Sequence, residues 1–205
     1  LAQDPGYEHK EDLISVGQAA TAGGFTDIAV LPNTSPVIDD KAMLSYVRRM
    51  GERLPVRVHV VAAVTKKTVG EDFTEMLDLH YAGAVAFSDG HHPIQNPDLF
   101  LKALQYLQPI DGLLINRSEE MLLTRFGQMH EGVESTLLGL KGLPALAEEL
   151  MVERDLRILA YVLGAEGRGL ETWAKGRGEE KSALAAASFS PSAPNPLPSA
   201  LHFST

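Results

Sequence analysis

Asp89 stands before Gly90 and the pair His91-His92. A carboxylate beside two imidazoles is material for a metal centre or an acid–base pair. Adjacent loop residues seldom converge on one ion without a third ligand, so His91-His92 reads as a solvent-facing pair. Asp89 reads as either a strand-end turn residue or a metal position. Asn33 lies in Pro32-Asn33-Thr34-Ser35-Pro36, where its amide can bond its own backbone or reach a ligand. Arg117 can act as a functional cation or pair with Glu119, Glu120 or Asp89. His59 falls in an apolar run, where a core imidazole satisfied by hydrogen bonds is the usual case. His9, His80 and His130 read as surface or second-layer residues. The chain has no cysteine, so any metal would be held by His, Asp, Glu or a modified Lys, and neither a disulfide framework nor a thiolate site can form.

The elements that position these residues alternate from Glu8 to Gly164: a helix-like segment, a Gly or Pro stop, then a short run rich in Val, Ile and Ala. That order predicts parallel strands joined by crossover helices. A first helix is expected over Glu8 to Ala22, closed by Gly23-Gly24. This glycine pair is a helix stop and not a phosphate cradle, since no Gly-x-Gly-x-x-Gly follows a strand. Strands are predicted at Thr26 to Leu31, Val56 to Val64, Ala84 to Phe87 and Gly112 to Ile115. Between them, Asp39 or Asp40 should cap a second helix, a third should span Glu71 to Tyr81, and a fourth Pro97 to Leu107. Pro144 opens a long helix over Ala145 to Val162, with Leu146, Leu150, Leu156 and Leu159 at helical spacing. From Ala165 to Ala200 the composition turns to Gly, Ala, Ser and Pro, which predicts an irregular segment.

At 205 residues and 22.2 kDa the chain suits one main domain. Its formal charge of -9, with no basic block, argues against nucleic acid as a partner. No stretch reaches the ~20 apolar residues of a membrane helix, and the start lacks the pattern of a signal peptide, so cytoplasm is the expected compartment.

Three linked blocks resemble the dihydroorotases of the cyclic amidohydrolase family: Asp4-Pro5-Gly6-Tyr7-Glu8-His9-Lys10-Glu11-Asp12-Leu13, Ala22-Gly23-Gly24-Phe25-Thr26 and Leu31-Pro32-Asn33-Thr34-Ser35-Pro36. Similar to the same family are Ala82 to Gly90, Gly127 to Gly132, and Leu140 to Glu149. The resemblance implies an α/β fold, a partial TIM-type (β/α) barrel over residues 1–164, with residues 201–205 as a barrel-strand remnant. An open parallel sheet leaves edges that the tail, a second copy or another protein must cover.

In that family zinc at the barrel mouth lowers the pKa of a bound water, and the hydroxide attacks a ring amide. The resemblance carries Asn33 over as a substrate-carboxylate contact and Asp89 as a metal position. It also puts Leu1 where the second His of a His-x-His pair belongs and Gln3 where a substrate-binding Arg belongs. Arg117 stands in the place of a ligand His, and Thr205 in that of another. A guanidinium has no lone pair to give a metal. These departures imply a dihydroorotase-like chain of pyrimidine biosynthesis without catalytic residues or zinc of its own. Its expected role is scaffold or partner, with aspartate transcarbamoylase or a second copy as the associate. The alternatives are a fragment of an active zinc-dependent dihydroorotase, and a binding module that uses Asn33 and Arg117.

Overall fold

A computed structural model describes residues 4–164 and the backbone of residues 201–204. The segment 165–200, expected to be irregular, lies outside the described residues, as do Leu1, Gln3 and Thr205.

Helix α1 (Leu13–Ala22) begins where Asp12 turns extended and its carboxylate accepts the Ser15 N–H at 2.7 Å. This cap satisfies a donor that the helix start leaves open. The helix thus starts later than the expected Glu8, because residues 4–10 turn instead, with the Lys10 N–H donating to the Tyr7 carbonyl. Strand β1 (Asp27–Val30) follows, then α2 (Lys41–Gly51), capped by Asp40 through the Met43 N–H at 2.8 Å. Its buried Leu44 and Val47 face β2 (Arg57–Ala62).

Helix α3 covers Met76–Ala82 only. The expected start at Glu71 is overridden because Phe73 bridges back to Thr65 and stacks on Tyr106, while the Thr74 hydroxyl donates to the Ala63 carbonyl at 2.7 Å. Gly83 closes the helix at φ +108°, a left-handed conformation that a side chain would strain. Strand β3 is Ala84–Phe87, and α4 (Pro97–Leu107) matches its expected span, with Asn96 as cap and Pro97 where no N–H is needed. Strand β4 occupies Leu114–Arg117, displaced towards the C-terminus from its expected Gly112 to Ile115.

An excursion follows: α5 (Met121–Thr124), whose start at the Glu120 cap agrees with the helix beginning expected at Ser118-Glu119-Glu120, then β5 (Met129–His130), α6 (Val133–Leu138) and β6 (Gly142–Leu143). The two short strands pair in parallel with each other. Helix α7 (Leu146–Val162) then returns along the sheet and contacts α4. Its buried face is Ala147, Met151, Asp155 and Leu159; of the other leucines at helical spacing, Leu146 and Leu150 are 51% and 44% exposed. Strand β7 (Leu201–Ser204) lies parallel to β4, level with Leu114 to Arg117.

The main sheet has the order β1-β2-β3-β4-β7, every pair parallel, with β1 and β7 at its margins. It is a partial (β/α) barrel with helices on one face. Val30, Val60, Ala62, Phe87 and Leu114 form the core there with Leu79, Phe100, Leu104 and Leu107. Among the described residues no helix is long and apolar enough to cross a membrane.

Candidate functional site

Parallel strands deliver their following loops to one end of the sheet, where α/β folds place their ligands. In this chain the loops after β1, β2 and β3 meet there. The Asp4-Pro5-Gly6 turn joins them, with the Ser35 N–H donating to the Pro5 carbonyl at 2.9 Å. Gly6, at φ +109°, lies so close to Ser35 that a Cβ would fall on the Ser35 carbonyl.

Asp89 is buried two residues beyond β3. One carboxylate oxygen accepts the N–H groups of Val64 and Thr65, each at 2.9 Å, and the other accepts the Thr65 hydroxyl at 2.5 Å. Burial pushes this carboxyl above the ordinary aspartate value, opposed by the Thr65 and Val64 bonds and by the nearby His92. Asn33 reaches the same loop from β1: its amide donates to the Asp89 carbonyl at 3.2 Å and its oxygen accepts the His91 N–H at 3.1 Å. Gly90, at φ +61°, lets Asn33 approach, since a Cβ there would sit 1.7 Å from the Asn33 oxygen. The structure therefore brings Asn33 and Asp89 together through backbone and loop bonds, and no described bond aims either at open solvent.

Arg117 ends β4 and pairs with Glu119 at 2.7 Å. The opposite oxygen of Glu119 accepts the Thr124 hydroxyl, also at 2.7 Å. Arg117 is thus held by its own loop, and no described contact joins it to Asn33 or Asp89. A cavity of about 310 Å³ opens beside it, lined among others by Glu119, His130 and Glu148. His59, expected in the core, is partly buried on β2 and hydrogen-bonds Asp27 at 2.9 Å. Bonds from Arg57 first, then His59 and Thr26, hold Asp27 well below the usual carboxylate range. His92 bonds the Thr68 hydroxyl at 3.0 Å, and His91 is exposed.

Zinc needs several lone-pair donors converging on one point. Among the described residues no group of three or more His, Asp and Glu side chains is placed to hold an ion. The Asp89 carboxylate accepts two bonds on one oxygen, from the Val64 and Thr65 N–H groups, and one on the other, from the Thr65 hydroxyl. The described residues alone do not assemble a zinc centre.

Sequence reasoning passed over Thr65, the partner that fixes Asp89, because nothing in one chain's pattern links residues 24 positions apart. It also passed over Asp155, fully buried on α7, whose carboxylate accepts the Asn116 amide at 2.7 Å and the Arg154 guanidinium at 2.6 Å. The available signal was a charged residue four positions from Met151 and from Leu159, on the apolar stripe of the helix.

A sequence model of the family described as "Dihydro-orotase-like" matches residues 3–166. The chain belongs to that family. Dihydroorotase of Pelotomaculum thermopropionicum is 44% identical over 163 residues, covering 80% of this chain and 38% of the relative. Dihydroorotase of Syntrophus aciditrophicus is 45% identical over 164 residues, with the same two shares. This dihydro-orotase-like chain thus spans 38% of the length of those two relatives. Among solved structures, the L-hydantoinase (dihydropyrimidinase) of Arthrobacter aurescens superposes with a TM-score of 0.55 at 17% identity. The superposition covers 71% of the dihydro-orotase-like chain and 34% of the hydantoinase, and shows a shared barrel fold.

Proposed function

We propose that this chain is a dihydroorotase-like half-barrel of pyrimidine biosynthesis that does not itself hydrolyse a cyclic amide and works, in the cytoplasm, as a scaffold or assembly partner. The observation that carries the reading is the state of Asp89. The family resemblance makes Asp89 a metal position, yet its carboxylate is committed to three bonds from Val64 and Thr65, and Arg117, which the same resemblance sets in the place of a ligand His, is a cation without a lone pair for a metal and pairs with Glu119. Asn33 is a loop brace in this reading, and aspartate transcarbamoylase or a second copy is the associate.

The test is metal analysis of the purified chain after incubation with zinc and dialysis, together with chromatographic assay of dihydroorotate hydrolysis. The expected result is zinc well below one equivalent and no turnover above buffer. Stoichiometric zinc with turnover overturns the proposal.

One observation favours a second reading, that the chain is a piece of an active zinc-dependent dihydroorotase. Over the stretch it shares, it keeps 44% identity to a relative of which it covers only 38%. Co-expression with the remaining length of such a relative would then yield zinc binding and turnover that neither piece has alone.

A further inference from the structure

Among the described residues, Ser118 holds the one buried side-chain polar atom without a hydrogen-bond partner, in a residue only 8% exposed. A buried hydroxyl left unpaired costs free energy, so such a group marks a place where something outside the chain's own bonding is met. Ser118 lines the cavity of about 310 Å³ beside Arg117, between the end of β4, the excursion and the start of α7. Neither Asn33 nor Asp89 lines it. Its volume is at the small end of ligand cavities, roughly 300–1,000 Å³. The walls are already held in place. The two Glu119 oxygens are taken by Arg117 and Thr124, the Gln95 amide donates to the Glu119 carbonyl at 2.8 Å, and the Glu120 N–H donates to the Ala147 carbonyl at 3.2 Å, tying this loop to α7. A site fixed in this way loses little freedom when it binds.

Charge narrows the ligand. Arg117 presents five N–H donors and gives Glu119 only part of them. Helix α7, 17 residues long, begins at the cavity with no side chain capping it, so its positive end and first N–H groups favour a negative group there. Four glutamates lie nearby. Glu119 is committed as above, Glu120 caps α5 through the Leu122 N–H at 3.2 Å, and Glu149 does not line the cavity. Glu148 does line it, and among the described residues no group pairs with its exposed carboxylate. His130, on the exposed rim, can donate or accept. A simple anion would be repelled by Glu148, and a simple cation by Arg117 and the start of α7. A small molecule with both charges finds a partner for each.

We propose that this cavity binds a small zwitterion of the α-amino acid class, its carboxylate on Ser118, Arg117 and the start of α7, its ammonium on Glu148, and its side chain against Leu143 and Pro144. The proposal is independent of whether the half-barrel has lost catalysis. The experiment is thermal unfolding of the full chain with each common L-amino acid at neutral pH, followed by calorimetric titration of those that stabilise it. At least one should give a saturable rise in Tm, about 5–10 °C at about one hundred times its Kd. The matching acid without the amino group, and the matching amine without the carboxylate, should each bind about 10-fold more weakly or worse. Ser118→Ala removes an unpaired hydroxyl, so the ligand-free chain should be at least as stable as wild type while the amino acid binds about 5–10-fold more weakly. Glu148→Gln alters an exposed side chain and should weaken the amino acid about 10-fold without weakening the deaminated acid. No shift with any amino acid overturns the proposal and leaves Ser118 to water. So does an amino acid that Ser118→Ala binds as tightly as wild type, or a deaminated acid that wild type binds as tightly as the amino acid.

Discussion

Two buried aspartates sit at the same end of the sheet and are held in opposite ways. Asp89, after β3, is met by neutral donors alone: two backbone N–H groups and one hydroxyl. Asp155, on α7, is met by the charged Arg154 and by the Asn116 amide, and those partners are bound onward. Arg154 also donates to the carbonyls of Ile94 and Gln95, both at 2.8 Å, and lies over the Phe100 ring, while the Asn116 oxygen accepts the Ile94 N–H at 3.1 Å. Asp155 therefore locks α7, β4 and the loop before α4 into one unit, and Asp89 fastens one loop to another. The job of the Asp89 carboxylate is thus local. Where the sequence showed only a helix, it has built a charged joint.

The comparison is broken most directly by deletion. Asp155→Ala takes the carboxylate from the half-buried Arg154 guanidinium and the acceptor from the buried Asn116 amide, and should cost about 3–5 kcal/mol in urea unfolding. Asp89→Ala leaves three neutral donors without a partner near a mouth that water can enter, for a cost of about 1–3 kcal/mol. If Asp89→Ala costs as much as Asp155→Ala, the mouth is as tightly built as the joint and the contrast fails. Smaller again is the coupling between Gly90 and Asn33. Gly90→Ala places a Cβ on the Asn33 oxygen and should cost about 2 kcal/mol. In Asn33→Ala that collision is gone, so the same glycine change should cost about 1 kcal/mol less, a coupling measured as a double-mutant cycle. Additive costs would mean that Asn33 does not brace the Asp89 loop.

Much of the frame was legible because it rests on local chemistry. Asp40 and Asn96 with Pro97 mark helix starts by side-chain geometry that a few residues specify, and the apolar β-branched runs mark the strands. What failed depended on distant partners. The buried face of α7 was not legible because Asp155 occupies an apolar stripe and is stabilised by Asn116, 39 positions away. Strands β5 and β6 have two residues each, too few for any period to show. At the site, the Arg117–Glu119 pair was among the alternatives because a single residue, Ser118, separates them. The occupancy of Asp89 by Thr65 was not visible, and it decides what that carboxylate can do.

The smallest effect sharpens the comparison through pH. Burial raises Asp89 and Asp155 above the ordinary aspartate value of 3.8, so the folded chain holds those protons more tightly than the unfolded chain does. The stability they contribute is complete below 3.8 and is lost as pH rises through the raised folded values. Asp27 runs the other way. Its carboxyl is lowered, chiefly by Arg57, so its contribution is present above 3.8 and disappears as pH falls through its folded value. Asp89→Asn removes one group of the first kind while keeping an oxygen to accept the Val64 and Thr65 N–H groups. Measured by thermal unfolding between about pH 4 and 7, the advantage of wild type over Asp89→Asn should shrink as pH rises, whereas its advantage over Asp27→Asn should hold nearly constant there and fall away only below 3.8. A difference for Asp89→Asn that stays flat would mean that this carboxyl titrates alike folded and unfolded, and that its three neutral bonds fully offset the cost of burying its charge.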